Sequence, residues 1–338
     1  MRYLVTGGAG FIGSHLVEHL VTSKHEVVVL DDFSSGSREN LAGVEHCVRV
    51  IPGSVADPAA CAEAMRGVHY VLHHAALTSV VGSVADPATA DRVNVAGTVA
   101  VLHAARAAGV RRVVLAGSTA VYGDAAELPN RETTLPRPLS PYAASKLAAE
   151  GYCQAFHASY GLETVVLRYF NVFGPRQDPD SPYAAVVPRF ILAALRREPA
   201  LIFGDGEQTR DFTYVANVVR ANALACTAPR DRVAGQVYNI GCGASVTINE
   251  LWDRIQQALD ISLPARHGPA RAGEVRDSRA GIERATQQLG YRPGVDFATG
   301  LRLTVEAYAQ RWGAEAPLTS RARVIAGRRP SLRPQDAA

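Results

Sequence analysis

Tyr142 and Lys146, in Tyr142-Ala143-Ala144-Ser145-Lys146, share one face of any helix that carries them. On that face the ammonium can lower the phenol's pKa, and a phenol brought nearer neutrality can serve as a general acid–base. It would take a proton from a hydroxyl while a hydride leaves the same carbon, then reverse the transfer. The spacing alone is common by chance on helices, so it needs company. Gly117-Ser118-Thr119-Ala120-Val121-Tyr122-Gly123 supplies hydroxyls directly after the apolar run Val113–Ala116, and Ser118 or Thr119 can hydrogen-bond a reacting oxygen.

The hydride needs an acceptor, and the amino end offers a place for one. In Gly7-Gly8-Ala9-Gly10-Phe11-Ile12-Gly13, the trio Gly7, Gly10 and Gly13 permits a tight turn and close approach of a pyrophosphate to the next helix. An apolar strand precedes this turn and an amphipathic helix follows it. A second strand ends in Asp31-Asp32, where a carboxylate can accept hydrogen bonds from ribose hydroxyls. That carboxylate pair would repel a 2′-phosphate. Arg38 is near, but no basic residue occupies the strand end itself, so the expected dinucleotide is NAD rather than NADP. Its positive nicotinamide ring would lower the Tyr142 pKa further.

The elements that must position these groups are legible as alternation. Strand-like Tyr3–Thr6, Val27–Leu30, Val48–Ile51, Val68–Leu72, Val113–Ala116 and Val165–Leu167 are separated by helical stretches such as Ala88–Gly109 and Pro141–Tyr160. This pattern predicts an α/β fold: a Rossmann-type doubly wound parallel sheet with a smaller α/β substrate-binding domain. Residues 1–172 and about 214–242 are assigned to the NAD-binding domain, 173–213 and about 243–312 to the substrate domain, and 313–338 to a tail. A helix is expected over Val187–Arg197, among turn-rich segments.

Composition narrows the class. The 35 Lys+Arg and 32 Asp+Glu are interspersed and give a net charge of only +3, which argues against a nucleic-acid partner. Cys47, Cys61, Cys153, Cys226 and Cys242 form no C-x-x-C, so free thiols in a reducing compartment are expected. No signal-peptide pattern or membrane-length apolar run is seen, and the expected location is the cytoplasm without a membrane partner. His15-Leu16-Val17-Glu18-His19 matches a zinc-protease pattern, yet it lies on the cofactor-binding helix without an evident third ligand, so no metal is expected. His73-His74 ends a strand and is read as structural.

The ordered set Gly7-x-x-Gly10-x-x-Gly13, Asn94, Ser118, Tyr142-x-x-x-Lys146 and Arg168-Tyr169-Phe170-Asn171-Val172-Phe173-Gly174-Pro175 resembles an extended short-chain dehydrogenase/reductase over residues 1–312. Within that superfamily, four further blocks resemble UDP-hexose 4-epimerases. They are Arg176-Gln177-Asp178-Pro179, Tyr183-Ala184-Ala185-Val186-Val187-Pro188, Gly204-Asp205-Gly206-Glu207-Gln208-Thr209-Arg210-Asp211-Phe212 and Arg271-Ala272-Gly273-Glu274.

The resemblance implies that Tyr142 is the base, that Lys146 tunes it and holds the nicotinamide ribose, and that Ser118 orients the sugar 4-hydroxyl with Thr119 as helper. Cofactor contacts are implied at Gly7, Gly10, Phe11, Ile12, Gly13, Asp31, Asp32, Ser37, Val55, Asp57, Ala75, Ala76, Asn94, Tyr142, Lys146 and Tyr169. Asn171, Arg210 and Arg271 would hold the uridine diphosphate, with Glu274 beside them. Guanidinium groups suit phosphate oxygens, although either arginine alone could equally be a surface ion-pair partner. Ala116-Gly117-Ser118 departs from the Ser-Ser-Ser of many members but keeps the last hydroxyl.

The expected reaction is epimerisation at C4 of a UDP-hexose through a transient 4-keto sugar. Dehydratase and decarboxylase relatives carry an acid at the Thr119 or Ala120 position, and neither residue here is one. UDP-glucuronate 4-epimerase stays open, with Arg189 as a candidate for the C6 carboxylate. Ser278 occupies a position where some relatives have a bulky aromatic, which leaves room for a 2-acetamido group. A non-catalytic NAD-binding regulator would be expected to have lost Tyr142 or Lys146. The resemblance also implies a homodimer through helices Ala88–Gly109 and Pro141–Tyr160.

Overall fold

The structure, a computed structural model, describes residues 1–125, 127–179, 184–270 and 275–312. Seven parallel strands form its main sheet: β1 (Arg2–Thr6), β2 (Glu26–Asp31), β3 (Val48–Pro52), β4 (Tyr70–His73), β5 (Arg112–Ser118), β6 (Glu163–Tyr169) and β7 (Gln236–Ile240), in the order β7-β6-β5-β4-β1-β2-β3. The reversal of strand order beside β1 is that of a doubly wound sheet. Val-rich strands suit it because both faces are covered. Leu4, Val28, Val71 and Val113 join the core on one face, while their neighbours Val5, Val29, Leu72 and Val114 join the core on the other.

Register brings the carboxyl ends together: Thr6 pairs with both Leu30 and His73, and Ser118 pairs with Tyr169. The segments that follow these strands therefore emerge along one edge of the sheet, where open α/β sheets bind ligands. The stretch expected as one helix over Ala88–Gly109 is instead an α-helical turn Pro87–Asp91, a π-helical turn Arg92–Ala96 and the helix Gly97–Ala107. The π turn sets the buried Asn94 within it.

The chain divides into two compact units, one of Met1–Val172, Gln208–Val246 and Ala272–Asp296, the other of Phe173–Glu207, Thr247–Arg271 and Phe297–Ala338. Residues 208–213 and 275–296 fall in the unit that contains the sheet. The second unit holds helices Val186–Leu195, Ile248–Leu259 and Phe297–Trp312 and a parallel strand pair, Leu201–Phe203 with Arg266–Gly268. Its core includes Phe190 edge-on to Trp252 at 5.7 Å. The proposed tail, 313–338, lies outside the described residues.

The five cysteines are free thiols. Among the described residues no helix is long and apolar enough to cross a membrane.

Candidate active site

The turn after β1 is built for close approach. Gly7 has φ +67°, and a Cβ there would stand 2.7 Å from the Ala75 nitrogen; a Cβ on Gly13 would stand 2.0 Å from the Gly7 carbonyl oxygen. Both positions are closed to any side chain. The following helix, Phe11–Thr22, has no side-chain cap at Gly10 and no acidic residue in its first turn. Its amino end thus presents uncapped donors and the positive pole of the helix, which suits a diphosphate. Phe11, Ile12 and Gly13 form that first turn.

Around this cradle the candidate cofactor residues fall into two groups. Asp31 is buried, and its carboxylate accepts the Ala9 N–H at 2.8 Å and the Phe33 N–H at 2.9 Å, while burial raises its pKa. Asp32 is exposed at the strand end and accepts from the backbone and hydroxyl of Ser34. Ser37 and Asp57 are exposed N-caps that accept from Glu39 and Ala59, respectively. Val55 is buried, and Ala75 and Ala76 are half-buried on the segment after β4.

Asn94 and Tyr169 are both buried, and their side chains are engaged within the protein. The Asn94 amide accepts the Leu77 N–H at 2.8 Å and donates to the Leu77 carbonyl at 3.0 Å and to Ser145 Oγ at 2.9 Å. The Tyr169 hydroxyl accepts from Asn222 Nδ2 at 2.8 Å and lies 2.9 Å from His74 Nε2.

Ser118, Tyr142 and Lys146 converge at the carboxyl end of β5. The Ser118 hydroxyl accepts the Ala120 N–H at 3.1 Å and draws the Tyr142 phenol's pKa down. Lys146 Nζ lies 6.0 Å from the Tyr142 ring centre and donates to the Ala116 carbonyl at 3.0 Å. Burial pushes the Lys146 pKa down to about 8. Burial also pushes Tyr142 up, against a downward pull from Ser118. The i, i+4 spacing predicts a lowered phenol; desolvation outweighs the pull of Ser118. Thr119 is half-buried in the 3₁₀ turn Thr119–Tyr122.

The candidate substrate residues are placed as follows. Asn171 Oδ1 and Ser278 Oγ are buried without a hydrogen-bond partner among the described residues. Arg210 is half-buried, with Nη1 anchored on the carbonyls of Thr209 at 2.8 Å and Arg276 at 3.0 Å. Arg189 is exposed on the second unit's helix Val186–Leu195. Arg271 and Glu274 lie outside the described residues.

His73 bonds Thr6 Oγ1 at 2.7 Å and Thr98 Oγ1 at 3.0 Å, which fits the structural reading. Among the described residues no group of three or more His, Cys, Asp or Glu side chains is placed to hold a metal ion.

Sequence reasoning missed three supports. Ser83 contacts the backbone of Tyr142. Asp211 accepts three backbone N–H groups, from Cys242, Gly243 and Ala280, and so fixes the segment next to Arg210. Glu150, two turns beyond Tyr142, forms a buried bidentate pair with Arg168 of β6 at 2.6 and 3.0 Å, holding the helix to the sheet. The i, i+4, i+8 spacing of Tyr142, Lys146 and Glu150 was the one available signal.

Residues 3–241 match the model of the NAD dependent epimerase/dehydratase family. The chain is 40% identical over 317 residues to the UDP-glucose 4-epimerase of Mycolicibacterium smegmatis, covering 92% of this chain and 99% of that protein. The Thermotoga maritima UDP-glucose 4-epimerase solved with UDP-glucose superposes with a TM-score of 0.87 at 38% identity, over 92% and 99% of the two chains. The Methanobrevibacter ruminantium UDP-N-acetylglucosamine 4-epimerase, solved with UDP-N-acetylmuramic acid, gives 0.87 at 39% identity, over 92% and 98%.

Proposed function

The chain belongs to the NAD dependent epimerase/dehydratase family, and on that premise we propose that it is an NAD-dependent UDP-hexose 4-epimerase. It interconverts UDP-glucose and UDP-galactose, and the small Ser278 extends the range to UDP-GlcNAc and UDP-GalNAc. The observation that carries this reading is the convergence of Ser118, Tyr142 and Lys146 at the carboxyl edge of the same sheet whose first turn admits no Cβ at Gly7 or Gly13.

The glycine turn and the uncapped amino end of Phe11–Thr22 would hold the diphosphate of NAD, and Asp31 and Asp32 would take its ribose hydroxyls. When bound, NAD supplies a reversible acceptor for the C4 hydride. Tyr142 removes the 4-hydroxyl proton, and Ser118 orients that hydroxyl. Burial holds the phenol proton on and Ser118 pulls the other way; the Lys146 cation, 6.0 Å from the ring centre, favours the phenolate as the proton leaves. The 4-keto sugar then turns about its diphosphate link, and Tyr142 returns the proton as the other face is reduced. Asn171, Arg210 and Arg271 grip the nucleotide throughout, so remote binding energy retains an intermediate whose sugar must rotate.

We infer a cytoplasmic homodimer that pairs the stretch Ala88–Gly109 and the helix Pro141–Tyr160 with their counterparts. Tyr152 and Tyr160, exposed on the latter helix, support that interface.

The test is incubation of purified protein with UDP-glucose, UDP-GlcNAc and UDP-glucuronate separately, followed by proton NMR. C4-inverted UDP-glucose is expected. Conversion of UDP-glucuronate alone would transfer the assignment to UDP-glucuronate 4-epimerase. No conversion of any of the three, with NAD bound, would overturn the reading.

A further inference from the structure

The two functional helices of the sheet unit begin differently. The cofactor-side helix leaves its first-turn donors uncapped. The helix Pro141–Tyr160 satisfies every one: Pro141 has no N–H, Ala143 N–H donates to Ser140 Oγ at 3.1 Å, and Tyr142 N–H donates to Ser83 Oγ at 3.0 Å. The second cap thus comes from another helix, Val80–Ala85, 59 residues earlier in the chain. Ser83 is fully buried, and its own proton goes to the Val80 carbonyl at 2.6 Å, so its oxygen is aimed at the tyrosine backbone by a fixed bond.

We propose that Ser83 is a positioning residue for the reaction: by holding the Tyr142 main chain from outside the helix, it fixes the phenol oxygen against Ser118. The inference rests on the reading of Tyr142 as the base. A cap within the helix, such as Ser140, fixes only local geometry. Ser83 ties Tyr142 to the segment that runs on from Ala75 and Ala76, and the Asn94 bridge between Leu77 and Ser145 makes a second tie between the same two pieces. Two ties leave the helix start no freedom to rotate about either one. Removing the Ser83 hydroxyl leaves a part-buried N–H without its partner and lets the first turn shift, and small misplacements of a reacting group are costly in rate.

The experiment compares Ser83→Ala, Ser83→Thr and Ser79→Ala in the NAD-loaded enzyme with UDP-glucose. Ser79 caps the same helix through the Gly82 N–H at 2.8 Å but does not touch Tyr142, so its loss tests helix stability alone. Ser83→Ala should lower kcat by about tenfold or more while KM and bound NAD stay within about twofold of wild type. Ser83→Thr should restore much of the loss, and Ser79→Ala should lower Tm without the kcat effect.

Wild-type kcat in Ser83→Ala, or an equal kcat loss in Ser79→Ala, would overturn the proposal. Should Ser83→Ala not fold, amide exchange at Tyr142 in the wild-type enzyme decides: protection is expected, and unprotected exchange would overturn it. Tyr142→Phe in the same assay separates the two claims. If that variant stays active, the reading of the base fails; if it is inactive while Ser83→Ala is wild type, only the Ser83 role fails.

Discussion

The carboxylate of Asp31 accepts the backbone N–H of Ala9 at 2.8 Å, joining the last residue of β2 to the glycine turn after β1. Its other oxygen takes the Phe33 N–H at 2.9 Å, so one buried side chain shapes both walls of the cofactor cradle. Asp31→Ala should leave two donors without partners, at about 1–3 kcal/mol each, and should lower NAD occupancy. Asp31→Asn keeps one acceptor oxygen and should lie between. Urea denaturation and the NAD released on denaturation measure both, and equal behaviour of Ala and wild type would refute the role.

The glycines should not be equivalent. A Cβ on Gly13 would meet the Gly7 carbonyl oxygen at 2.0 Å, whereas on Gly10 its nearest neighbour is that same oxygen at 3.2 Å. Gly13→Ala must displace the turn, so co-purified NAD should fall by about tenfold or more, with Gly10→Ala much milder. Chromatographic quantification of bound dinucleotide checks the ranking, and a reversed order would contradict it.

What the sequence made legible was whatever has a period or a motif. Alternating β-branched runs and helical stretches gave the sheet, and Gly7, Gly10, Gly13, Ser118, Tyr142 and Lys146 stood out by spacing. Ser83 and Asp211 did not, because each acts through backbone groups of residues brought near only by the fold. Nothing local to Ser83 announces a partner at Tyr142. The phenol's pKa was misjudged for a related reason: an i, i+4 spacing shows that two groups are near, but not how far burial opposes ionisation.

Lys146 should be a liability for stability. It is buried with its ammonium on a single carbonyl, and its pKa is lowered to about 8. Lys146→Met should therefore stabilise the NAD-free protein at pH 7 while depressing turnover by about a hundredfold or more. Wild type should gain stability as pH rises from about 8 toward the ordinary lysine range, where the unfolded chain still binds the proton and the native one does not. The stability advantage of Lys146→Met should shrink over that window. A pH-independent difference in denaturation midpoint would contradict this.

His73 should contribute to acid sensitivity. Burial lowers its pKa from 6.5 to about 3, so it stays neutral in the native state while the unfolded chain takes up a proton. Stability is then fully present above pH 6.5 and falls as pH drops toward 3, by about 1.4 kcal/mol per pH unit for one proton. His73→Asn should lose one proton's worth of that slope between pH 6 and 4 relative to wild type. Denaturation midpoints across that range measure it, and parallel curves for the two proteins would contradict it.

Arg112, at the amino end of β5, lies at the end of the strand opposite Ser118 and should affect stability without touching catalysis. Its fully buried guanidinium donates to Glu163 at 2.8 Å, and through Nη1 to the carbonyls of Ala225, Cys226 and Ala228 at 2.7, 3.0 and 2.8 Å. One side chain thus satisfies the carbonyl end of the helix Val215–Thr227 and neutralises a carboxylate. Arg112→Met should cost about 3–5 kcal/mol, because it leaves the Glu163 charge poorly compensated as well as the carbonyls. Arg112→Met with Glu163→Gln should recover the part due to the charge and leave the part due to the carbonyls, so the double variant should be more stable than the single one. Both should turn over UDP-glucose at wild-type kcat below their melting temperatures. A double variant no more stable than Arg112→Met would place the whole effect on the helix terminus.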